Sequence, residues 1–505
     1  MTSLVPRPPY TDDELRKLYP PGLELRQVQV LMRHGERTPI SARFQNAGLR
    51  PLWPYCSAAR QMRAAVLAPR DPALGPATDT LEWKRRLESI GPNDEPVLAK
   101  GPQDDPDALC DHGSLTDQGR RSTYELGQRL RHLYVDRLRF LPPALTPADA
   151  EASLYLRATP VPRALESLQQ AFAALYPPSA RVPGPDGRFP APVILSRTPD
   201  NETLYPNDGN CRRLAALARA FAQRAADRWN RSPEMDLLNR RLGPWMPQGQ
   251  RIAVDSRPRL SGIMDTINAS LAHGPETRLP EEFYDPALKA AMEKINVDEW
   301  FSGFRESREF RMLGIGPLMG DIVGRMVERA EQGGERGIRF GLSGCHDTTL
   351  AGMLASVGAF DMERWPPFTS HVAIELFREA QEQQQQQPPP LPPQAQSAKR
   401  GWWSALFASP AAARPIGRRP TTELTQAEKR KLDGYYVRMR YNDEPVTVPA
   451  CRLPGNHFEG DPSLCTLAAF KAVVDKFTPT NWKEQCRMNR DKPALPEGEP
   501  EWAGH

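Results

Sequence analysis

Short apolar runs that end at polar turns alternate along this chain with longer helical faces. Residues 25–32 are rich in Val and Leu, predict a strand, and end at a polar turn over 33–39. Further strands are predicted at 152–158, 337–344, 371–377 and 435–441. Helices are predicted near 79–89, for about 20 residues after Thr116, over 162–176, and from Thr348 to Gly358.

This alternation of strands and helices indicates an α/β protein. We expect a three-layer sandwich with a mixed, mostly parallel central sheet, formed jointly by residues 22–200 and 331–490. Residues 201–330 are mainly helical in pattern and lack clear strands, so they predict a helical lobe inserted into the sandwich. Residues 1–21 and 491–505 are expected to be tails.

A low-complexity insert over 379–430 separates the last two predicted strands. Its Gln and Pro runs cannot build a core. Trp402 and Trp403 follow these runs between Lys and Arg side chains, so one interpretation is a peripheral membrane contact. The alternatives are an aromatic patch packed on the domain and a flexible hairpin extension.

Composition narrows the class of protein. Proline supplies 54 of 505 residues, roughly twice its ordinary share, which argues against a coiled coil, a helical solenoid or a transmembrane bundle. The net charge of +4 is too small to suggest nucleic-acid binding. Because no long apolar run and no secretory signal are visible, we expect an intracellular protein, cytoplasmic or mitochondrial. The seven cysteines are odd in number and lack a CxxC pair, so neither a zinc site nor a disulfide framework is expected.

The first candidate for chemistry is the turn after the strand at 25–32. Arg33, His34 and Arg37 follow that strand directly, and ligand sites in open α/β sheets lie at the carboxyl ends of strands. Arginine suits bidentate recognition of phosphate oxygens, and a histidine kept neutral at one nitrogen can attack phosphorus. The alternative is a basic surface turn, which a bare Arg-His-Gly tripeptide would favour.

Two more strand ends carry polar residues. His346 and Asp347 follow the strand at 337–344, where an aspartic acid could protonate a leaving oxygen or merely cap the next helix. Arg157 lies at the end of the strand at 152–158 and could complete a phosphate clamp, with Arg163 following six residues later. Each feature alone has a plain structural explanation, and their combination favours a site.

Four segments occur together in one order: RHGERTP at 33–39, LTDQG at 115–119, the arginine pair at 157 and 163, and His346-Asp347. They resemble the histidine acid phosphatase family over roughly residues 22–490, with its phosphoglycerate-mutase-like fold. Matches at 204–207 with Cys211, at 365–368 and at 465–470 most resemble the lysophosphatidic acid phosphatase type 6 branch of that family.

The resemblance implies a mechanism through phosphohistidine. His34 would be the nucleophile and Asp347 the proton donor to the leaving alcohol. The residues that it implies for phosphate binding are Arg33, Arg37, Arg157 and His346. No metal and no other cofactor is expected, since three arginines supply the charge stabilisation.

The implied function is an acid phosphatase that hydrolyses small phosphomonoesters, with lysophosphatidic acid or a similar lipid monoester as the favoured substrate. Phytase-like and sugar-phosphate phosphatases are the alternatives. A phosphomutase and a non-catalytic phosphate-binding protein rank lower, because the complete RHGxRxP and His-Asp set is present. The oligomeric state is not predicted by any of these patterns.

Overall fold

The computed structural model describes residues 2–58, 62–68, 77–185, 187–380, 414–496 and 498–505. The tryptophans proposed to touch a membrane, Trp402 and Trp403, lie outside these described residues. Over the described chain, no helix has both the length and the apolar character that are needed to cross a membrane.

The strands and helices alternate as an α/β fold requires. The strands are β1 (Leu23–Arg33), β2 (Met62–Ala68), β3 (Ala77–Trp83), β4 (Glu88–Ile90), β5 (Pro96–Leu98), β6 (Leu154–Ala158), β7 (Ile194–Leu195), β8 (Phe340–Cys345), β9 (His371–Glu379), β10 (Tyr435–Tyr441), β11 (Glu444–Val446), β12 (His457–Phe458) and β13 (Asp461–Thr466). The helices are α1 (Asp12–Leu18), α2 (Asp117–Arg131), α3 (Pro147–Ser153), α4 (Pro162–Leu175), α5 (Arg212–Trp229), α6 (Pro233–Leu242), α7 (Leu260–Ala272), α8 (Pro286–Glu306), α9 (Arg308–Gly314), α10 (Gly316–Glu331), α11 (Asp347–Ser356), α12 (Gln426–Arg430), α13 (Leu467–Asp475) and α14 (Trp482–Gln485).

The central sheet is mixed, and its parallel half holds the polar strand ends. Its strands run in the order β12, β13, β10, β9, β1, β8, β6 and β7, with β11 paired to β10. β1, β8, β6 and β7 are parallel to one another, whereas β9 is antiparallel to β1. The carboxyl ends of β1, β6 and β8 therefore meet at one edge of the sheet, where ligand sites of such folds lie. The expected α/β class with a mixed sheet is confirmed.

Helices cover both faces of the sheet. On one face, Val28 and Met32 of β1 pack in one apolar cluster with Leu126 of α2. On the other face, Leu31 packs in a second cluster with Leu350 of α11. Because neighbouring residues of β1 point into two different cores, the strand reads as a continuous apolar run, which is typical of a buried central strand.

The helical segment between β7 and β8 has a core of its own. Trp229, Met235, Ile263 and Phe283 belong to a third apolar cluster, formed mainly by α5 to α8. This cluster also takes in three residues from the chain after β1: Phe44, Leu49 and Trp53. The two helices α9 and α10 pack instead with the sheet-side cluster.

Two local expectations were wrong. The helix predicted near 79–89 is absent, because residues up to Trp83 belong to β3, which pairs antiparallel with β2 and places Trp83 opposite Met62. The expectation of no disulfide framework also fails: the structure joins Cys56 to Cys110, Cys211 to Cys486, and Cys451 to Cys465. Cysteines as far apart as 275 residues meet only through the fold, so their spacing along the chain gave no sign of pairing. Cys345 is buried and has a free thiol.

Candidate active site

The parallel strands β1 and β8 bring His34 and His346 together at the edge of the sheet. The two imidazole rings are buried, with centroids 5.6 Å apart and planes inclined at 68° to each other. Gly35, next to His34, lies against Gly119 in the first turn of α2, and a Cβ at Gly35 would overlap the carbonyl oxygen of Gly119. The close approach of the turn after β1 to α2 therefore requires glycine at both Gly35 and Gly119.

The ring of His34 is oriented by the backbone carbonyl of the next residue. Its Nδ1 lies 2.9 Å from the carbonyl oxygen of Gly35, which can only accept, so Nδ1 carries the proton. The lone pair of Nε2 is therefore free. Burial, reinforced by the nearby charges of Arg163 and Arg33, holds the pKa of His34 well below its usual range. His34 is thus a neutral base in mild acid, as a nucleophile must be.

Two of the sequence-predicted arginines surround this histidine. Arg33 Nη2 lies 2.7 Å from Asp347 Oδ2, and the Arg33 guanidinium covers the ring of Phe368 at 4.2 Å from its centroid. Arg37 Nη2 donates to Asp265 Oδ1 over 2.7 Å. Both guanidinium groups are buried and fixed before any ligand arrives, which is how a preorganised anion site is built.

The third predicted clamp residue, Arg157, lies elsewhere. It is not among the residues that line the cavity of His34, and its guanidinium donates to Glu202 Oε1 over 2.5 Å. Arg163, at the second position of α4, lines that cavity instead. Within the described residues, Arg163 Nε has no hydrogen-bond partner, and desolvation by burial lowers the pKa of this guanidinium to about 10. The structure therefore leaves Arg163, and not Arg157, free to take an anion.

Asp347 and His346 occupy the start of α11 beside the cleft. Asp347 Oδ2 accepts a hydrogen bond from Trp365 Nε1 over 2.9 Å, in addition to the ion pair with Arg33. Burial alone would raise the pKa of Asp347, but the charge of Arg33 and the Trp365 hydrogen bond outweigh it and lower that pKa. His346 Nε2 lies 3.1 Å from Thr159 Oγ1, and burial among cations lowers the pKa of His346 to about 3. At neutral pH Asp347 is therefore ionised and His346 is neutral.

These residues line a cavity of about 540 Å³ between the sheet edge and the helical lobe. Its lining combines five arginines with apolar and aromatic side chains. The apolar and aromatic lining residues are Ile40, Val161, Tyr205, Pro206, Met264, Trp300, Trp365 and Phe368. A smaller cavity of about 230 Å³ between α5 and α8 adjoins it, since both cavities are lined by Pro206, Arg259, Trp300 and Thr348.

Sequence reasoning did not predict four charged residues of this cavity, which are Arg43, Arg163, Arg259 and Asp265. Asp265 on α7 lies 228 positions from its partner Arg37, and no motif connects them. The sequence shows both Arg157 and Arg163, but it favours Arg157 for phosphate binding because Arg157 lies at the end of a predicted strand. Only the partner of Arg157, Glu202, distinguishes the two arginines, and that pairing exists in space alone.

Comparison with known proteins agrees with this architecture. Residues 24–388 match the model of the histidine phosphatase superfamily (branch 2). A protein described as a probable acid phosphatase from Schizosaccharomyces pombe is 36% identical over 475 residues, covering 93% of this chain and 95% of the relative. Human lysophosphatidic acid phosphatase type 6 is 25% identical over 385 residues, covering 71% of this chain and 75% of that protein.

Two solved structures share the fold at low identity. The Bifidobacterium longum multiple inositol polyphosphate phosphatase, in complex with inositol hexasulfate, gives a TM-score of 0.51 at 13% identity, covering 96% of this chain and 98% of that one. The Hafnia alvei phytase in complex with tartrate gives 0.50 at 12% identity, covering 92% and 99%. At such identities the likeness concerns the fold alone. The family match and the Schizosaccharomyces relative are decisive: the chain belongs to the histidine phosphatase superfamily, branch 2, and is an acid phosphatase, a hydrolase of phosphoric monoesters.

Proposed function

We propose that hydrolysis proceeds through a phosphohistidine on His34. The observation that supports this most is the free Nε2 of a buried, neutral His34 among the guanidinium groups of Arg33, Arg37 and Arg163. In the first step Nε2 forms a bond to phosphorus, and the bond from phosphorus to the ester oxygen breaks. Water then attacks the phosphohistidine, frees inorganic phosphate and restores His34.

Asp347 is the proposed donor of the proton that the leaving oxygen needs. It is ionised while it shares Arg33, so it must first gain a proton. A phosphate dianion in the cleft would compete for Arg33 and place negative charge beside the carboxylate, and both effects raise the pKa of Asp347. Substrate binding and acidic pH thus both favour protonation of Asp347.

Phosphate binding is assigned to Arg33, Arg37, Arg163 and His346. Arg163 takes the place expected for Arg157, because its guanidinium lines the cavity without a carboxylate partner among the described residues. Three guanidinium groups can spread the negative charge of the transferring phosphoryl group, so the proposed mechanism calls for no metal or other cofactor.

For the substrate we propose a monoester with an apolar leaving group, such as lysophosphatidic acid. Five arginines line the cleft, and three of them already face carboxylates: Arg33 faces Asp347, Arg37 faces Asp265, and Arg259 pairs with Glu299. The apolar wall leads past Trp300 into the groove between α5 and α8, which Leu214, Ala218 and Ala222 line. An inositol polyphosphate would need further unpaired cations along this path. The name of the human relative points in the same direction.

For the compartment, three disulfides favour an oxidising environment over the reducing cytoplasm. Peripheral membrane contact through Trp402 and Trp403 stays a proposal. Deleting residues 399–407 and measuring sedimentation of the protein with anionic vesicles would test it.

The nucleophile is tested with His34→Ala. Phosphate release from 4-nitrophenyl phosphate should fall by about 10³-fold or more, while circular dichroism stays that of the parent. His132→Ala, a change at an exposed histidine of the π-helical turn after α2, is the matched control. When a reaction with phosphate-labelled substrate is quenched, an acid-labile phosphoenzyme should be trapped in the parent only. Full activity of His34→Ala would refute the mechanism.

The substrate class is tested by blocking the groove. Ala218→Phe should lower kcat/KM for lysophosphatidic acid by about 10-fold or more, since the acyl chain loses its apolar contacts, and leave glycerol 3-phosphate hydrolysis near the parent value. Ala216→Phe, on the same helix and outside the groove lining, is the control. Equal loss on both substrates, or a parent that prefers phytate, would remove the lipid assignment.

A further inference from the structure

Arg157 does not line the cleft, but a chain of buried contacts connects it to the start of α11. It is 2% exposed at the end of β6, and its only near carboxylates within the described residues are Glu202, at 2.5 Å, and Asp321, at 4.0 Å. Glu202 is completely buried. Since a buried carboxylate without a partner is costly, this pair fixes where Glu202 can lie.

Glu202 in turn shapes the loop that follows it. Its Oε1 accepts the backbone N–H groups of Thr203 and Leu204, each over 2.7 Å, in addition to the Arg157 guanidinium. Arg157 Nη2 also lies 3.2 Å from Thr203 Oγ1. One ion pair thereby holds three consecutive residues in a tight turn, which directs the carbonyl of Leu204 toward α11.

That carbonyl is the link to the catalytic helix. The hydroxyl of Thr349 donates to the oxygen of Leu204, and the same hydroxyl accepts the backbone N–H of His346 over 3.3 Å. Thr349 is fully buried and completes the cap at the start of α11, from which His346 and Asp347 project. The next residue of the loop, Tyr205, lies against the ring of His346, with centroids 6.0 Å apart, and lines the cleft.

We propose that Arg157 and Glu202 are positioning residues that act through Leu204 and Thr349 to set the place of Asp347, the proton donor. This inference rests on the proposed function, since the position of Asp347 affects the rate only if Asp347 donates the proton to the leaving oxygen. Neither Arg157 nor Glu202 touches substrate. Their effect is on the step that needs the proton, because an acid displaced by a fraction of an ångström transfers it poorly.

The dependence of kcat on the leaving group separates this role from simple support of the fold. An alkyl phosphate such as glycerol 3-phosphate needs the proton of Asp347, whereas 4-nitrophenolate leaves without it. Thr349→Val removes the linking hydroxyl with little change in volume, and should lower kcat for the alkyl ester by about 10-fold and for the aryl ester by less than about 3-fold. Arg157→Lys keeps the positive charge but loses the planar guanidinium group, and it should lower the ratio of alkyl-ester to aryl-ester kcat as Thr349→Val does.

Thr277→Val is the matched control. Thr277 is equally buried, and its hydroxyl donates to Gly274 in the helical lobe, outside the connection from Arg157 to α11. Its ratio of alkyl to aryl activity should equal that of the parent. Unchanged ratios in Thr349→Val and Arg157→Lys, with both proteins folded, would overturn the inference. Failure of the proposed function itself would appear elsewhere, as full activity in His34→Ala.

Discussion

The guanidinium of Arg33 and the carboxylate of Asp347 lie 2.7 Å apart, one at the end of β1 and the other at the start of α11. The residue proposed to bind phosphate and the proposed acid thus neutralise each other's charge. An incoming phosphate has to replace Asp347 on Arg33, and the displaced carboxylate then faces a dianion. The same contact that keeps the acid ionised at rest therefore makes its protonation depend on substrate.

Asp347→Asn tests this dependence. Without a proton donor, kcat for glycerol 3-phosphate should fall by about 10²-fold or more, and the loss with 4-nitrophenyl phosphate should be much smaller. The decline of kcat toward higher pH should also disappear with the alkyl ester, since it reports deprotonation of Asp347 in the bound complex. Steady-state rates from pH 3 to 8 measure both effects, and equal losses on the two esters would contradict the assignment.

Arg163→Met tests the reassigned phosphate ligand. Loss of one charged hydrogen bond should weaken inhibition by inorganic phosphate by about 10- to 100-fold. Because the charge of Arg163 helps to lower the pKa of His34, its removal should raise that pKa and move the acid limb of kcat/KM to higher pH. Arg120→Met, which breaks an ion pair with Glu166 outside the cleft, should do neither. An acid limb at its original pH would show that Arg163 does not act on His34.

Glu375 should set the acid limit of stability. This carboxylate is completely buried in the sheet, and the charges of Arg440 and Arg438 outweigh the effect of burial and lower its pKa. A carboxyl whose folded pKa is depressed stabilises the fold above its unfolded pKa, near about 4.3, and that contribution is lost as pH falls through the folded value. Glu375→Gln should lower the free energy of unfolding at pH 7 by about 3 kcal/mol or more. Urea unfolding at pH 7 and pH 3 should show a smaller difference between mutant and parent in acid, and a constant difference would speak against this linkage.

The disulfides can be counted chemically. All seven cysteines lie in the described chain, and six are paired, so the denatured, unreduced protein should give one reactive thiol, that of Cys345. Reduction should lower the free energy of unfolding by about 2–5 kcal/mol for each bridge that closes a long loop, above all Cys211–Cys486. Cys345→Ala is the control, which should abolish the thiol signal without changing the response to reductant. Three or more reactive thiols before reduction would disagree with the pairing.

What the sequence could predict was local. The apolar run of β1 and the helical spacing of α2 and α4 predicted this strand and these two helices correctly, because such patterns depend on neighbouring residues. The helix predicted near 79–89 was wrong, since pairing with β2 decides the conformation of β3. Arg157, Glu202 and Asp265 show the same limit at the site. Whether an arginine is neutralised or free depends on a carboxylate that may come from anywhere in the chain, and no spacing rule supplies it.

The core of the helical lobe has one consequence for how substrate range can change. Phe44, Leu49 and Trp53 come from the segment after the nucleophile turn, yet they complete the cluster built by α5 to α8. Transplanting residues 212–306 alone from a relative would leave three mismatched side chains in that core. A change in the shape of this helical segment therefore involves two stretches of the chain at once, one of which follows the turn at 33–39. The two stretches share one core, although they lie more than 150 positions apart along the chain.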